Sequence, residues 1–135
     1  VIVIYTDGSA RQKGKLWIGA YAYAIYRNGK AVYQASLNLI PAAVNLCELT
    51  AVAHALYTSM KLYPDESIQI YTDSQYVIDG VSNPLHVKTN KKCWTLVRQL
   101  MVNRDIRFFH VKSHHKDVRN NHVDRLARSK LRSRF

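Results

Sequence analysis

Apolar and polar positions alternate along the chain in a way that predicts nine elements. Val1 to Thr6 (VIVIYT) is a nearly continuous apolar run of strand length. Residues 11–15 (RQKGK) break it as a polar loop. Leu16 to Tyr26 alternates aromatic or branched residues with small ones, the period-two signature of a strand, and Asn28-Gly29 then supplies a hairpin turn into a third strand, Ala31 to Leu39. After Pro41 the period changes. Leu49, Ala53, Leu56 and Met60 recur at spacings of 4, 3 and 4, one face of a helix that Pro64-Asp65 ends. Ser67 to Thr72 predicts a fourth strand, Gln75 to Val81 a short helix, and Cys93, Val97, Leu100 and Met101 another. Ile106 to Val111 predicts a fifth strand. Residues 112–119 form a polar loop, and Val123, Leu126, Ala127 and Leu131 mark a last helix with a basic outer face.

The order is therefore β-β-β-α-β-α-α-β-α. Three hairpin-connected strands predict an antiparallel meander. The fourth and fifth strands are each reached through helical crossovers and are expected to run parallel to a neighbour. The fold class is α/β: a mixed five-stranded sheet flanked by about four helices. At 135 residues, 1–135 reads as a single domain. No apolar run approaches the roughly 20 residues of a membrane span. Val1 begins inside a strand pattern with no initiator Met, as a segment of a larger protein would. Cys47 and Cys93 have no metal-type spacing and read as reduced thiols, which points to an intracellular setting, cytoplasmic or nuclear.

Charge changes the picture. Twenty Lys and Arg face nine Asp and Glu, a net charge of +11 that suits a polyanionic partner such as nucleic acid. Against that background the few acids stand out. Two strands end in the same phrase, Tyr5-Thr6-Asp7 and Tyr71-Thr72-Asp73. If these strands are adjacent and parallel, their ends lie ~4.8 Å apart, and two carboxylates there repel unless one is protonated or a cation lies between them. Oxygen-only ligands suit Mg²⁺ or Mn²⁺. Each acid also has a purely structural reading: Asp7-Gly8 as a tight turn, Asp73 as a helix N-cap, Glu48 as the third position of a capping box begun by Asn45, and Asp124 as the partner of Arg128 one turn on. Glu48 lies beside the apolar stripe, however, where it could reach the end of the sheet. Asn120 is a candidate start for the last helix.

The strings YTDGS, CEL, YTDSQYV and VKSHHKDVRNNHVDRLA, in this order and context, resemble the type 1 ribonuclease H family from end to end. That resemblance implies a ribonuclease H-like fold and an endoribonuclease that hydrolyses the RNA strand of RNA/DNA hybrids with two Mg²⁺ ions, Mn²⁺ serving as a substitute. It implies 5′-phosphate and 3′-hydroxyl ends, with Asp7, Glu48, Asp73 and Asp124 as the metal-binding catalytic carboxylates. His114, in VKSH, matches a histidine that assists proton transfer or product release. Gly8, Ser9, Asn45, Cys47, Ser74 and Gln75 match positions near the cleavage site, Trp94 an aromatic that packs on a DNA sugar, and Asn120 a residue that holds the active-site loop and the substrate. The family reading fits a free cellular or viral enzyme, or a domain of a retroelement or viral polyprotein with a fused or associated polymerase. The domain itself is expected to be monomeric.

Several positions depart from the family pattern. Ala43 stands where a polar residue often holds a DNA phosphate, and Arg11, Lys13 and Lys15 are candidates to replace that grip. Ser113 replaces a usual glycine. The basic end of the chain, Arg125 to Arg134, reads either as phosphate contacts or as a solvated helix face. A zinc site from His110, His114, His115 and His122 lacks the usual spacing. Two other readings stand beside the first: a metal-dependent DNA nuclease or strand-transfer domain on the same fold, and a non-catalytic binder of hybrid or double-stranded RNA. The unbroken Asp-Glu-Asp-Asp order favours the first.

Overall fold

A computed structural model describes residues 1–112 and 117–135. Five strands form one sheet: β1 (Ile2–Lys13), β2 (Leu16–Arg27), β3 (Lys30–Leu39), β4 (Ile68–Thr72) and β5 (Ile106–His110). Their spatial order is β3-β2-β1-β4-β5. The β1–β2 and β2–β3 pairs are antiparallel, and the β1–β4 and β4–β5 pairs are parallel. The meander and both parallel crossovers are as the sequence predicts. The helices are α1 (Val44–Leu62), α2 (Gln75–Ser82), α3 (Lys91–Met101) and α4 (Val118–Arg132), with a short 3₁₀ turn at Pro84–His86. No helix among the described residues is long and apolar enough to cross a membrane.

The alternation in β2 explains how helices cover both faces. Tyr21, Tyr23 and Ile25 lie on the face packed by α1, where Tyr21 Oη lies 2.8 Å from His54 Nδ1 and Tyr23 Oη 3.0 Å from Thr58 Oγ1. Buried phenols need such partners. Ala22 and Ala24 face the other way and let Val123 and Ala127 of α4 approach the sheet closely. Leu49, Val52 and Leu56 of α1 are fully buried against Ile2, Ile4, Ile68 and Ile70. Each such side chain contributes roughly 1.5–3 kcal/mol on burial. At the β2–β3 turn, Asn28 and Gly29 take φ of 53° and 77°, as an Asn-Gly hairpin requires.

Three local expectations are corrected. Residues 11–13 are not loop: β1 continues to Lys13, paired with Leu16, so the β1–β2 ribbon projects beyond the apolar core. Both its faces are largely exposed there, which removes the hydrophobic signal but not the ladder. The last helix starts at Val118 rather than near Asn120, because Asp117 caps it by accepting from the Arg119 and Asn120 N–H groups at 3.1 Å each. The capping-box reading of Glu48 fails as well. The α1 N-cap is Ala43 without a side-chain hydrogen bond, and Asn45 lies inside the helix.

Candidate metal centre

Parallel pairing of β1 with β4 puts Tyr5 opposite Tyr71, so the two strands deliver Asp7 and Asp73 to the same end of the sheet. The rings of Tyr5 and Tyr71 stack 4.8 Å apart and 9° from parallel, which locks that register. Glu48 arrives from the first turns of α1. Gly8 makes this approach possible: a Cβ there would lie 2.5 Å from the Glu48 backbone nitrogen and 2.8 Å from the Cys47 carbonyl carbon. Backbone cannot move aside as a flexible side chain can. Gly8→Ala is therefore expected to cost about 1–3 kcal/mol of stability and to displace Glu48 from Asp7. Thermal unfolding and nuclease activity measured together would check this, with activity falling further than in Ser9→Ala.

Asp7, Glu48 and Asp73 each bring a carboxylate oxygen within 4.8 Å of the others. Asp7 is 4% exposed and Glu48 7%. Burial, then the Glu48 charge, and further the charge of Asp73 and a hydrogen bond to Asp124 push the Asp7 carboxyl far above the carboxylate range. Burial likewise raises Glu48, opposed by hydrogen bonds from Asp7, the Gly8 N–H and the Ser74 hydroxyl. Glu48 Oε1 is buried and has no hydrogen-bond partner. An orphaned carboxylate oxygen inside an acidic cluster is costly without a cation, and the donor set is oxygen only. The residues thus fit a hard divalent ion such as Mg²⁺ or Mn²⁺.

Asp124 lies outside that triad. It lies near enough to Asp7 to help raise the Asp7 carboxyl, and Arg128 Nη2 donates to Asp124 Oδ2 at 2.6 Å. The sequence left a choice between active-site carboxylate and i,i+4 ion pair, and the structure shows the ion pair with Arg128, on a carboxylate that lies beside Asp7. Asp73, by contrast, is not an N-cap: Ser74 caps α2 through the Val77 N–H at 3.1 Å.

The remaining expected contacts divide by exposure. Asn45 and Gln75 are exposed, and Gly8 and Ser9 are half-buried. Ser74 is buried and serves as cap and as Glu48 partner. Two expectations are corrected. Trp94 is 1% exposed, its indole N–H donating to Tyr76 Oη at 2.9 Å, so it is a core residue with no surface for a DNA sugar. Cys47 is fully buried, its sulfur turned toward Gly19, where a Cβ would stand 2.3 Å from it, so its side chain cannot line a groove. Asn120 is 2% exposed, and its Oδ1 has no partner among the described residues. The catalytic expectation for His114 lies outside the described residues. His110 Nε2 lies 3.3 Å from the Asp73 carbonyl oxygen and His122 Nε2 2.8 Å from Gln34 Oε1, so each has a partner of its own. Beside Ala43, sequence reasoning missed a cavity of about 440 Å³ lined by Trp17, Asn45, Leu46, Thr89 and Asn90. The exposed Trp17 within strand β2 was its only signal.

A five-stranded mixed sheet whose central strands bring buried Asp7 and half-buried Asp73 beside Glu48 of α1 defines a candidate metal centre on an α/β scaffold. The chain belongs to the RNase H family, whose model matches residues 1–132, and so to a group of divalent-metal-dependent nucleases. A ribonuclease H of Clostridium botulinum is 31% identical, the match covering 93% of this chain and 92% of that protein. The Gag-Pro-Pol polyprotein of Mason-Pfizer monkey virus is 28% identical over 84% of this chain and 6% of its own length. The solved structure of LC11-RNase H1 in complex with an RNA/DNA hybrid shares the fold, with a TM-score of 0.84 at 20% identity over 99% of both chains.

Proposed function

We propose that this chain, as one domain over residues 1–135, hydrolyses the RNA strand of RNA/DNA hybrids with two Mg²⁺ ions and leaves 5′-phosphate and 3′-hydroxyl ends. The observation that carries the proposal is the triad of Asp7, Glu48 and Asp73, with an unsatisfied buried oxygen, in a chain of net charge +11. Divalent ions bound there would activate a water and neutralise charge developing on the phosphate. The chain's own residues prepare that site. Asp7 sits between Glu48 and Asp124 and is the natural shared ligand. Glu48 and Asp73 complete one side, and Asp124 the other. The Gly8 N–H and the Ser74 hydroxyl favour negative charge on Glu48. Exposed Asn45 and Gln75 are suited to read 2′-hydroxyls, the group that distinguishes RNA from DNA. His114 is assigned proton transfer or product release by family position. A polymerase, fused or associated, is the expected partner if the chain is part of a polyprotein.

The test is cleavage of a strand-labelled RNA/DNA hybrid with Mg²⁺ or Mn²⁺, beside duplex RNA, duplex DNA and an EDTA control. Cutting confined to the RNA of the hybrid is expected. Cutting of duplex DNA, or tight hybrid binding without cutting, would overturn the proposal.

A further inference from the structure

The acidic centre accounts for binding at one point, whereas most of the positive charge lies elsewhere. Period two along β1 carries Asp7, Ser9, Arg11 and Lys13 on one face. The pairing confirms which face it is: Arg11 opposes Ile18, and Ile18 packs with Ala20 and Leu131 of α4. Arg11 and Lys13 thus lie on the face of the sheet away from Ala43, which is the N-cap of α1. At a strand rise of ~3.4 Å per residue, Arg11 and Lys13 lie about 14 and 20 Å beyond Asp7 on its own face.

At this distance the end of α4 meets the ribbon. The Arg11 guanidinium stands 4.6 Å and the Lys13 ammonium 5.9 Å from the centre of the Phe135 ring. An aromatic face orders a cation without neutralising it, as a carboxylate would. Residues 8–15 and 125–135 contain no Asp or Glu. Among the described residues, the ion pairs formed by Glu66, Asp105 and Asp124 involve none of Arg11, Lys13, Lys15, Arg132 or Arg134.

We propose that the tip of the β1–β2 ribbon and the end of α4, held together through Phe135, form a cationic ledge that grips the sugar–phosphate backbone of the hybrid beyond the cleavage position. The proposal rests on the hybrid as substrate and adds a second contact to it. With one phosphate per ~3.4 Å of axis on each strand, the ledge is reached about four to six base pairs from the acidic centre. Short hybrids therefore miss it, and long ones engage it.

The test compares two double variants of equal charge. Arg11→Gln/Lys13→Gln removes the ledge cations, and Lys30→Gln/Lys61→Gln removes two at the opposite end of the fold. Fluorescence anisotropy with an 18-base-pair hybrid, over a series of salt concentrations, is expected to show about 5–10-fold weaker binding for the ledge variant. The slope of log K against log salt should fall by ~1.8, two phosphate contacts' worth. The control variant should change affinity less than about twofold, and a hybrid of about three base pairs, too short to span from the acidic centre to the ledge, should not distinguish the two. Phe135→Leu, which keeps every charge, should weaken binding of the long hybrid only. Equal losses in both double variants, or an unchanged slope, would overturn the ledge. If the unaltered protein binds with this pattern yet cuts no hybrid, the hydrolysis reading fails and the ledge stands. If it cuts hybrids and the double variants bind alike, the ledge alone fails.

Discussion

Asp7→Asn leaves a folded protein that no longer cuts. The substitution is expected to lower hydrolysis of the RNA strand by ~10³-fold or more, a loss of about 4 kcal/mol of transition-state stabilisation. The Asp7 carboxyl feels both Glu48 and Asp124, so on the proposed reading its removal would withdraw a ligand shared between the two sides of the centre. An amide keeps the shape and one acceptor oxygen but supplies no negative charge for a hard cation. The measurement is single-turnover cleavage at saturating hybrid, with Mg²⁺ and then with Mn²⁺. Residual activity within tenfold of the unaltered protein would mean that the centre does not use Asp7. Asp124→Asn should be milder, because that carboxylate already shares its charge with Arg128.

What the sequence made legible follows from how directly each feature depends on local chemistry. The juxtaposition of the two Tyr-Thr-Asp phrases was readable because the parallel crossover is topological, but only β4 ends at its phrase, whereas β1 runs past Asp7 to Lys13. Glu48 was readable because an acid beside an apolar helical stripe has few places to go except the end of the sheet. The β1 extension to Lys13 was not, since backbone pairing persists where neither face is buried and leaves no periodic signal. Nor was the fate of Trp94. Its spacing with Val97 and Met101 suits a core helix as well as a groove, and Gly80, which leaves room for its ring, lies on another helix. Cys47 shows the same limit: being next to Glu48 in sequence says nothing about which side of α1 it occupies, and the gap at Gly19 decides it. The double relation of Asp124, to Asp7 and to Arg128, could not be ranked from spacing, because an i,i+4 pair exists whatever lies opposite it.

The same crowding that prepares the centre for cations should make the metal-free protein unstable in a pH-dependent way. Burial and neighbouring carboxylates raise the folded-state titration of Asp7 and Glu48 above their unfolded values. Unfolded carboxylates release their protons near pH 4. Above that, the folded state holds protons that the unfolded chain does not, so stability falls as pH rises, by at most ~1.4 kcal/mol per pH unit for each proton retained. In EDTA, the thermal midpoint should decrease steadily from pH 5 to pH 9. Asp7→Asn removes the group most strongly affected, and with it the repulsion on Glu48. That variant should therefore be the more stable protein at pH 8, by about 2 kcal/mol or roughly 5–10 °C. Added Mg²⁺ should raise the midpoint of the unaltered protein at pH 8, through binding to the folded state alone, and should raise that of the variant much less. Calorimetry across these conditions separates ligand loss from misfolding, since inactivity and gained stability would appear in one molecule. A variant less stable than its parent in EDTA at pH 8 would contradict the crowded-carboxylate account and leave Asp7 a structural acid.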